Sequence, residues 1–216
     1  MPGPHGRFAV AERDALADLL LRLGPEAPTL CEGWNTRDLA AHLVLRASRA
    51  DAAGGIVIPA IRPWLGRVQR SIAARPWEVL VAQVRRRPFW AVGGLDERAN
   101  LVEYLVHHED IRRAQPDWTP RDLAPHVAHA LWPGVKMRAR LVLRRTPARV
   151  TVSGPHQSEA ITGGRRSLPD HAPAVQLSGE SQELLLFLFG RQAHARVSLH
   201  GPEEITGRMW TARYGV

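Results

Sequence analysis

Residues Asn100 to Ala114 carry no glycine or proline and read as one helix. No other stretch constrains the fold as strongly, because of where its polar residues fall. At about 100° per residue, Asn100, Glu103, His107 and Asp110 share one narrow stripe. Tyr104 and Ile111 border the stripe on one side, and Val102 and Val106 on the other. Ionisable groups inside an apolar face are unfavourable unless they are paired, neutral or bound to a metal. The stripe therefore has two readings: a metal site, or a buried Glu103 to His107 pair at i, i+4. His108 and Glu109 point away from it and read as surface or edge residues.

Upstream, Ala9 to Leu23 has leucines at helical spacing and stops at Gly24-Pro25, a helix terminator. After a tight loop from Pro28 to Trp34, Thr36 is placed to cap a second helix running to about Ala50, with Asp38 in its first turn. On this helix His42 lies between Leu39 and Leu43 on one side and Leu45 on the other, facing a core. A third helical region, Trp64 to Arg87, is interrupted around Arg75-Pro76. The fourth helix begins near Asp96 and ends after Ala114. Four helices with a long second crossover suit a four-helix bundle.

Asp122 to Arg145 is again helical, with a break expected at Trp132-Pro133-Gly134 and a solvated, arginine-rich later part. The pattern then changes to period two at Arg149–Ser153, Ala174–Ser178 and Ala195–His200, as in half-buried strands. An apolar helix from Glu180 to Phe189, closed by Gly190, separates the last two. The expectation is a mostly α protein: a helical bundle over residues 1–145, with its linker helix, followed by a small α/β or α+β domain over 146–216.

Composition narrows the function classes. A hydrophobic content of 44% with 23% charged residues is ordinary for a soluble globular chain. No apolar run approaches the roughly 20 residues that span a bilayer, and Met-Pro-Gly-Pro-His-Gly-Arg has no signal-peptide core, so a cytoplasmic protein without a membrane partner is expected. The single cysteine, Cys31, excludes any multi-cysteine zinc motif. It reads as a packing residue, since the sequence positions no base to activate it. The net charge of +8 raises nucleic acid or anionic lipid as a partner. Against this, Lys136 is the only lysine and the arginines are scattered without a nucleic-acid motif. No phosphate loop or nucleophile elbow is present.

Taken together, His42 and the Glu103-x-x-x-His107 pair could supply three ligands from two facing helices, leaving positions open as catalytic metal sites do. Asp110, one turn further, is placed to contact a ligand histidine. Two histidines with one carboxylate suit Zn²⁺, and Fe²⁺ or Ni²⁺ accept similar sets.

The paired runs Cys31-Glu-Gly-Trp34-Asn-Thr-Arg-Asp38-Leu-Ala-Ala-His42-Leu and Asn100-Leu-Val-Glu103-Tyr-Leu-Val-His107-His-Glu-Asp110 resemble the DinB-like metal-binding superfamily. Within it they are most similar to the actinobacterial, mycothiol-dependent maleylpyruvate isomerase family. The resemblance extends to the closing helix, Ser178 to Arg191. It implies a DinB-like four-helix bundle holding a divalent metal on His42, Glu103 and His107, with a smaller C-terminal α/β domain. Glu103, where many DinB-like proteins have a third histidine, draws the chain to the isomerase branch. The implied activity is an isomerase or thiol transferase acting on a small electrophile through a metal-bound thiolate, with mycothiol as cofactor. Asp110 would then serve catalysis in support of the ligands. The family's functionally important C-terminal arginine corresponds to Arg191, which otherwise reads as a cation beside a helix C-terminus. The rival expectation is a non-catalytic metal-binding or basic interaction protein built on a structural bundle.

Overall fold

The computed structural model describes residues 8–48, 62–86, 94–155, 157–159, 168–169 and 171–215. The protein is mostly helical with one small sheet, in the order α1 (Phe8–Leu23), α2 (Thr36–Ser48), α3 (Arg62–Ala73), α4 (Trp77–Val84), α5 (Gly94–Arg112), α6 (Pro125–Leu143), β1 (Arg149–Gly154), β2 (Gln157–Glu159), β3 (Ala174–Gly179), α7 (Ser181–Leu188), β4 (Val197–His200) and α8 (Glu203–Thr211). Among the described residues no helix is long and apolar enough to cross a membrane. The chain forms two compact units that divide between Arg121 and Asp122.

In the first unit, α1 packs on α5 and α4, and α2 packs on α3 and α4. Leu16, Leu20, Leu39, Leu80, Leu101, Leu105 and Ile111 are fully enclosed, each contributing about 1.5–3 kcal/mol by leaving water. Gly24 takes the left-handed conformation, φ 79°, that ends α1. The start of α2 differs from expectation. Asn35, not Thr36, is the cap: its Oδ1 accepts from Asp38 N–H at 3.1 Å, while Asp38 Oδ2 accepts from Asn35 N–H at 3.3 Å. This reciprocal capping box satisfies two backbone donors at once. The Thr36 hydroxyl instead donates to Gly24 O at 2.6 Å, stapling the start of α2 to the end of α1. Residues 49–61 and 87–93 lie outside the described residues, and so does the side chain of Asp96, the expected cap of α5.

In the second unit the sheet order is β2-β1-β3-β4, with β1 and β3 parallel and the outer pairs antiparallel. The edge strand β2 was not legible in the sequence, being only three residues long. Val150, Val152, Val175 and Leu177 alternate inward, as period two requires. Helix α7 is buried along its whole length and packs on α6, β3 and β4. It ends in a Schellman motif: Arg191 N–H reaches Leu186 O at 2.9 Å and Gly190 N–H reaches Phe187 O at 3.2 Å, with Gly190 at φ 89°.

Helix α6 corrects three expectations. It runs unbroken through Pro133, although proline removes one helical hydrogen bond and clashes one turn back. Leu131, Trp132, Val135, Ala139 and Leu143 are all buried from this helix, and that packing outweighs the local preference. Because α6 packs on α7, it belongs with the sheet unit, so the division precedes it instead of falling at Thr146-Pro147. Nor is its arginine-rich part wholly solvated. Arg138 is buried, donates from Nε to Leu188 O at 3.1 Å and from Nη2 to Tyr214 O, and stacks 4.3 Å from the centre of the Phe189 ring.

Candidate metal centre

Helix α5 sets out Asn100, Glu103, His107 and Asp110 along one side, and α2 brings His42 and Arg46 against them. The Glu103 carboxylate lies at the centre. Its Oε1 is 3.2 Å from His42 Nε2, 3.3 Å from His107 Nε2 and 3.3 Å from Arg46 Nε. The two imidazoles meet edge to face, with ring centroids 5.1 Å apart. On the other side of its ring, His107 Nδ1 is 3.0 Å from Asp110 Oδ2. Arg46 Nη1 donates to Asn100 Oδ1 at 2.6 Å, which secures the rim of the cluster.

The loop before α2 closes the far side. Leu30 N–H donates to the backbone carbonyl of Asp110 at 2.9 Å. This contact sets Cys31 Sγ 3.2 Å from Asp110 Oδ2 and 4.0 Å from His107 Nδ1. Trp34 packs against His42, ring centroids 5.2 Å apart. Cys31 is thus next to a histidine and a carboxylate that its position in the sequence did not reveal. A loop residue has no periodicity from which its neighbours can be read. Arg46 was legible in principle, lying four residues, about one turn, beyond His42.

Asp110 is fully buried, whereas the side chains of His107, Glu103 and His42 retain 12%, 22% and 29% of their exposure. The cluster therefore keeps some contact with solvent, most of it at His42 and Glu103. Burial pushes the Glu103 carboxyl up. The hydrogen bonds from His107 and His42 and the charges of His107 and Arg46 outweigh it and hold the group well below the ordinary carboxylate range. Burial pushes His42 down, and the charges on His107 and Arg46 add to this against the hydrogen bond and charge of Glu103, so its pKa lies below the ordinary imidazole value. For His107 the balance is opposite: burial lowers its pKa, but Asp110, Cys31 and Glu103 together raise it well above the ordinary value.

His42, Glu103 and His107 each offer one ligand atom, and these lie within 4.8 Å of one another. A tetrahedral ion with bonds of about 2.0–2.1 Å spaces its ligands about 3.3 Å apart, close to the separations found around Glu103 Oε1. Asp110 lies at Nδ1 of His107, so a metal ion taking Nε2 would displace the proton that the raised pKa otherwise holds on that side of the ring. The donor set therefore fits a divalent cation that takes nitrogen and oxygen. A second set, Cys31, His107 and Asp110, meets the same distance condition but shares His107 with the first.

Arg191 belongs to the second unit. Its Nη1 donates to Phe189 O at 2.6 Å, at the C-terminal end of α7. His108 and Glu109 require correction: both are buried, not on the surface. His108 Nδ1 is 2.8 Å from Glu12 Oε1. Glu109 is bound by Arg112 at 2.8 Å, Arg113 at 2.6 Å and Arg121 at 2.7 Å. Helix α5 is enclosed on nearly every side, so even its second polar face has to be paired within the unit.

No protein-family model, curated protein or solved structure matches the chain.

Proposed function

We propose that the first unit is a DinB-like four-helix bundle, with α3 and α4 counting as one broken helix, and that the protein is a metal-dependent enzyme of the mycothiol-dependent maleylpyruvate isomerase type. The observation that supports this most is the convergence of His42 Nε2, Glu103 Oε1 and His107 Nε2 on one partly open point, with Asp110 behind His107. A structural ion pair does not need two imidazoles turned towards one carboxylate oxygen, or a buried carboxylate holding the far nitrogen of one of them. Zn²⁺ is the preferred occupant for this donor set.

When bound, a divalent ion supplies a Lewis-acid centre that lowers the pKa of a coordinating thiol or water. The chain's own residues do the rest. Glu103 is held towards its ionised form, and the Nε2 atoms of His42 and His107 would give up the protons they share with Glu103 Oε1 on taking the metal. Asp110 fixes the tautomer and orientation of His107. Arg46, on the rim beside Glu103, contributes positive charge where an anionic group of a thiol or substrate would enter. The substrate is a small electrophile attacked by the thiol, and isomerisation, conjugation or transfer are all consistent with that step.

The test is metal analysis after dialysis of the wild type and His107→Ala. The expected outcome is about one equivalent of divalent metal in the first and background in the second. Equal stoichiometric metal in both would sink the ligand assignment. Titration of the Co²⁺-substituted protein with mycothiol should then change its visible spectrum, and an unchanged spectrum rejects the thiol step.

One observation favours a second reading. Arg46 and two histidines already surround Glu103, so the cluster could hold α2 to α5 as an ion-pair network in a non-catalytic protein. A chelator separates the two, because loss of a bound metal lowers thermal stability and an ion-pair network is indifferent to it.

A further inference from the structure

The loop between α1 and α2 brings to the cluster one side chain that the proposed metal chemistry does not use. It is Cys31, the chain's only cysteine, and its backbone is pinned on both sides. Leu30 N–H donates to the carbonyl of Asp110 at 2.9 Å, and Trp34 N–H donates to the carbonyl of Cys31 at 3.0 Å. The second bond closes a β-turn whose third residue, Gly33, takes φ 75°, a conformation that other residues rarely adopt. Thr29 secures the same turn. Its hydroxyl donates to Trp34 O at 2.8 Å and accepts from Cys31 N–H at 3.2 Å.

The pinned loop fixes a hydrogen bond. The Cys31 thiol donates to Asp110 Oδ2 at 3.2 Å, and the same oxygen is 3.0 Å from His107 Nδ1. The Asp110 side chain is fully buried, so its charge has to be met by groups of the protein. A thiol is a weak donor; it steadies the oxygen while leaving most of the negative charge to the imidazole. Packing alone does not call for this arrangement, because any small apolar side chain would fill the space without turning a donor to a buried carboxylate. Cys31 also meets His107 from the Nδ1 side, 4.0 Å away, whereas Nε2 faces Glu103. The sulfur therefore stands behind the ring and not among the three proposed ligand atoms.

We infer, on the reading that His42, Glu103 and His107 hold a divalent metal, that Cys31 is a positioning residue for that site: its thiol holds Asp110, and Asp110 in turn holds the His107 ring. The line from Cys31 through Asp110 to His107 ties the loop before α2 to a ligand on α5. Trp34, from the same loop, packs on the ligand of α2, with ring centroids 5.2 Å apart. One short loop thus braces both ligand helices.

The experiment measures Zn²⁺ affinity of the full-length protein by competition with a chromophoric chelator, for wild type, Cys31→Ala, Cys31→Val and Cys31→Ser. Ala and Val remove the donor, and Val fills the space; Ser keeps a donor. Ala and Val should each weaken binding about five- to tenfold, at or below the low end for a direct partner of a ligand, while Ser stays within about threefold of wild type. A residue that only packs would give the opposite order, with Val nearest wild type and Ser furthest from it, and that order overturns the proposal. In an Asp110→Asn background, Cys31→Ala should cost little more, because the line is already broken; an undiminished loss there also overturns it. If Cys31→Ala binds like wild type while His107→Ala has lost the metal, the ligand set stands and the role of Cys31 falls. No metal in wild type, or equal metal in His107→Ala, sinks both. Co²⁺ added without any free thiol should give the same absorption spectrum in wild type and Cys31→Ser. A thiolate-to-metal charge-transfer band that disappears in Cys31→Ser would make Cys31 a ligand instead. Circular dichroism melts confirm that each variant is folded, and the Ser and Val pair decides the matter if Ala is not.

Discussion

Helix α5 carries two buried polar clusters within three turns of each other, and they differ in the kind of cation that answers their carboxylates. Around Glu109 and Glu12 the partners are Arg112, Arg113 and Arg121, with His108 joining through Glu12. The Arg113 guanidinium also lies 4.7 Å from the centre of the Trp118 ring. Around Glu103 and Asp110 the partners are His42 and His107, with Arg46 at the rim. Arginine is always charged and offers only donors, whereas neutral histidine offers a lone pair. The arginine cluster can hold helices together and do little else. The histidine cluster can accept a metal ion or pass a proton, and its central carboxylate is the more exposed, Glu103 at 22% against Glu109 at 1%. Burial of charge alone therefore does not mark a functional site on this helix; the chemistry of the counter-charge does.

The comparison breaks most sharply at the arginine cluster. Glu109→Ala removes the carboxylate bonded to the fully buried Arg113, and removing one member of a buried pair costs about 3–5 kcal/mol. Urea unfolding of the metal-free protein should show that loss for Glu109→Ala and a smaller one for Glu103→Ala, whose partners retain access to water. Equal losses would remove the distinction between the clusters.

Asp110→Asn sharpens the other side. It keeps the shape of the residue while removing the charge behind His107. A drop of about 10- to 100-fold in metal affinity is expected, measured by competition with a chromophoric chelator. An unaltered affinity would make Asp110 a packing residue only.

A further effect is expected in acid. Burial raises the pKa of Glu12, but the hydrogen bonds from His108 and Arg121 and then their charges outweigh it and hold the group at about 2, below the usual 4.5. A carboxyl with a lowered native pKa contributes stability that is complete above its unfolded value and is lost as pH falls towards the native value. The free energy of unfolding should therefore decline between about pH 5 and pH 2. Glu12→Gln should flatten that limb, and an identical slope in the variant would show that Glu12 does not supply it.

Much of the candidate site was legible because helical periodicity is a local property. The spacing of Asn100, Glu103, His107 and Asp110 placed them on one side of α5, and the leucines around His42 turned it towards a core. The same rule failed for His108 and Glu109, because periodicity orders side chains around an axis but does not say how many sides of the helix will be covered. Arg112 and Arg113, three and four residues beyond Glu109, were the available hint of a paired cluster. Arg121 and Glu12, far along the chain in either direction, offered none. Pro133 misled for a related reason: its penalty is local, and the packing of Leu131, Trp132 and Val135 that overrides it is not.

By itself, then, the sequence determined which residues could share a face: the ligand-type stripe of α5, the inward turn of His42 on α2, the period-two strands and the glycine that closes α7. These follow from the fixed geometry of 3.6 and 2 residues per repeat. Only the tertiary structure decided what each face meets. It brought Arg46 to Glu103 and Cys31 to Asp110, closed the arginine cluster over Glu109, and left Met137 and Leu141 exposed on α6. Contacts between residues distant in the chain depend on how the elements pack, and no local repeat encodes that.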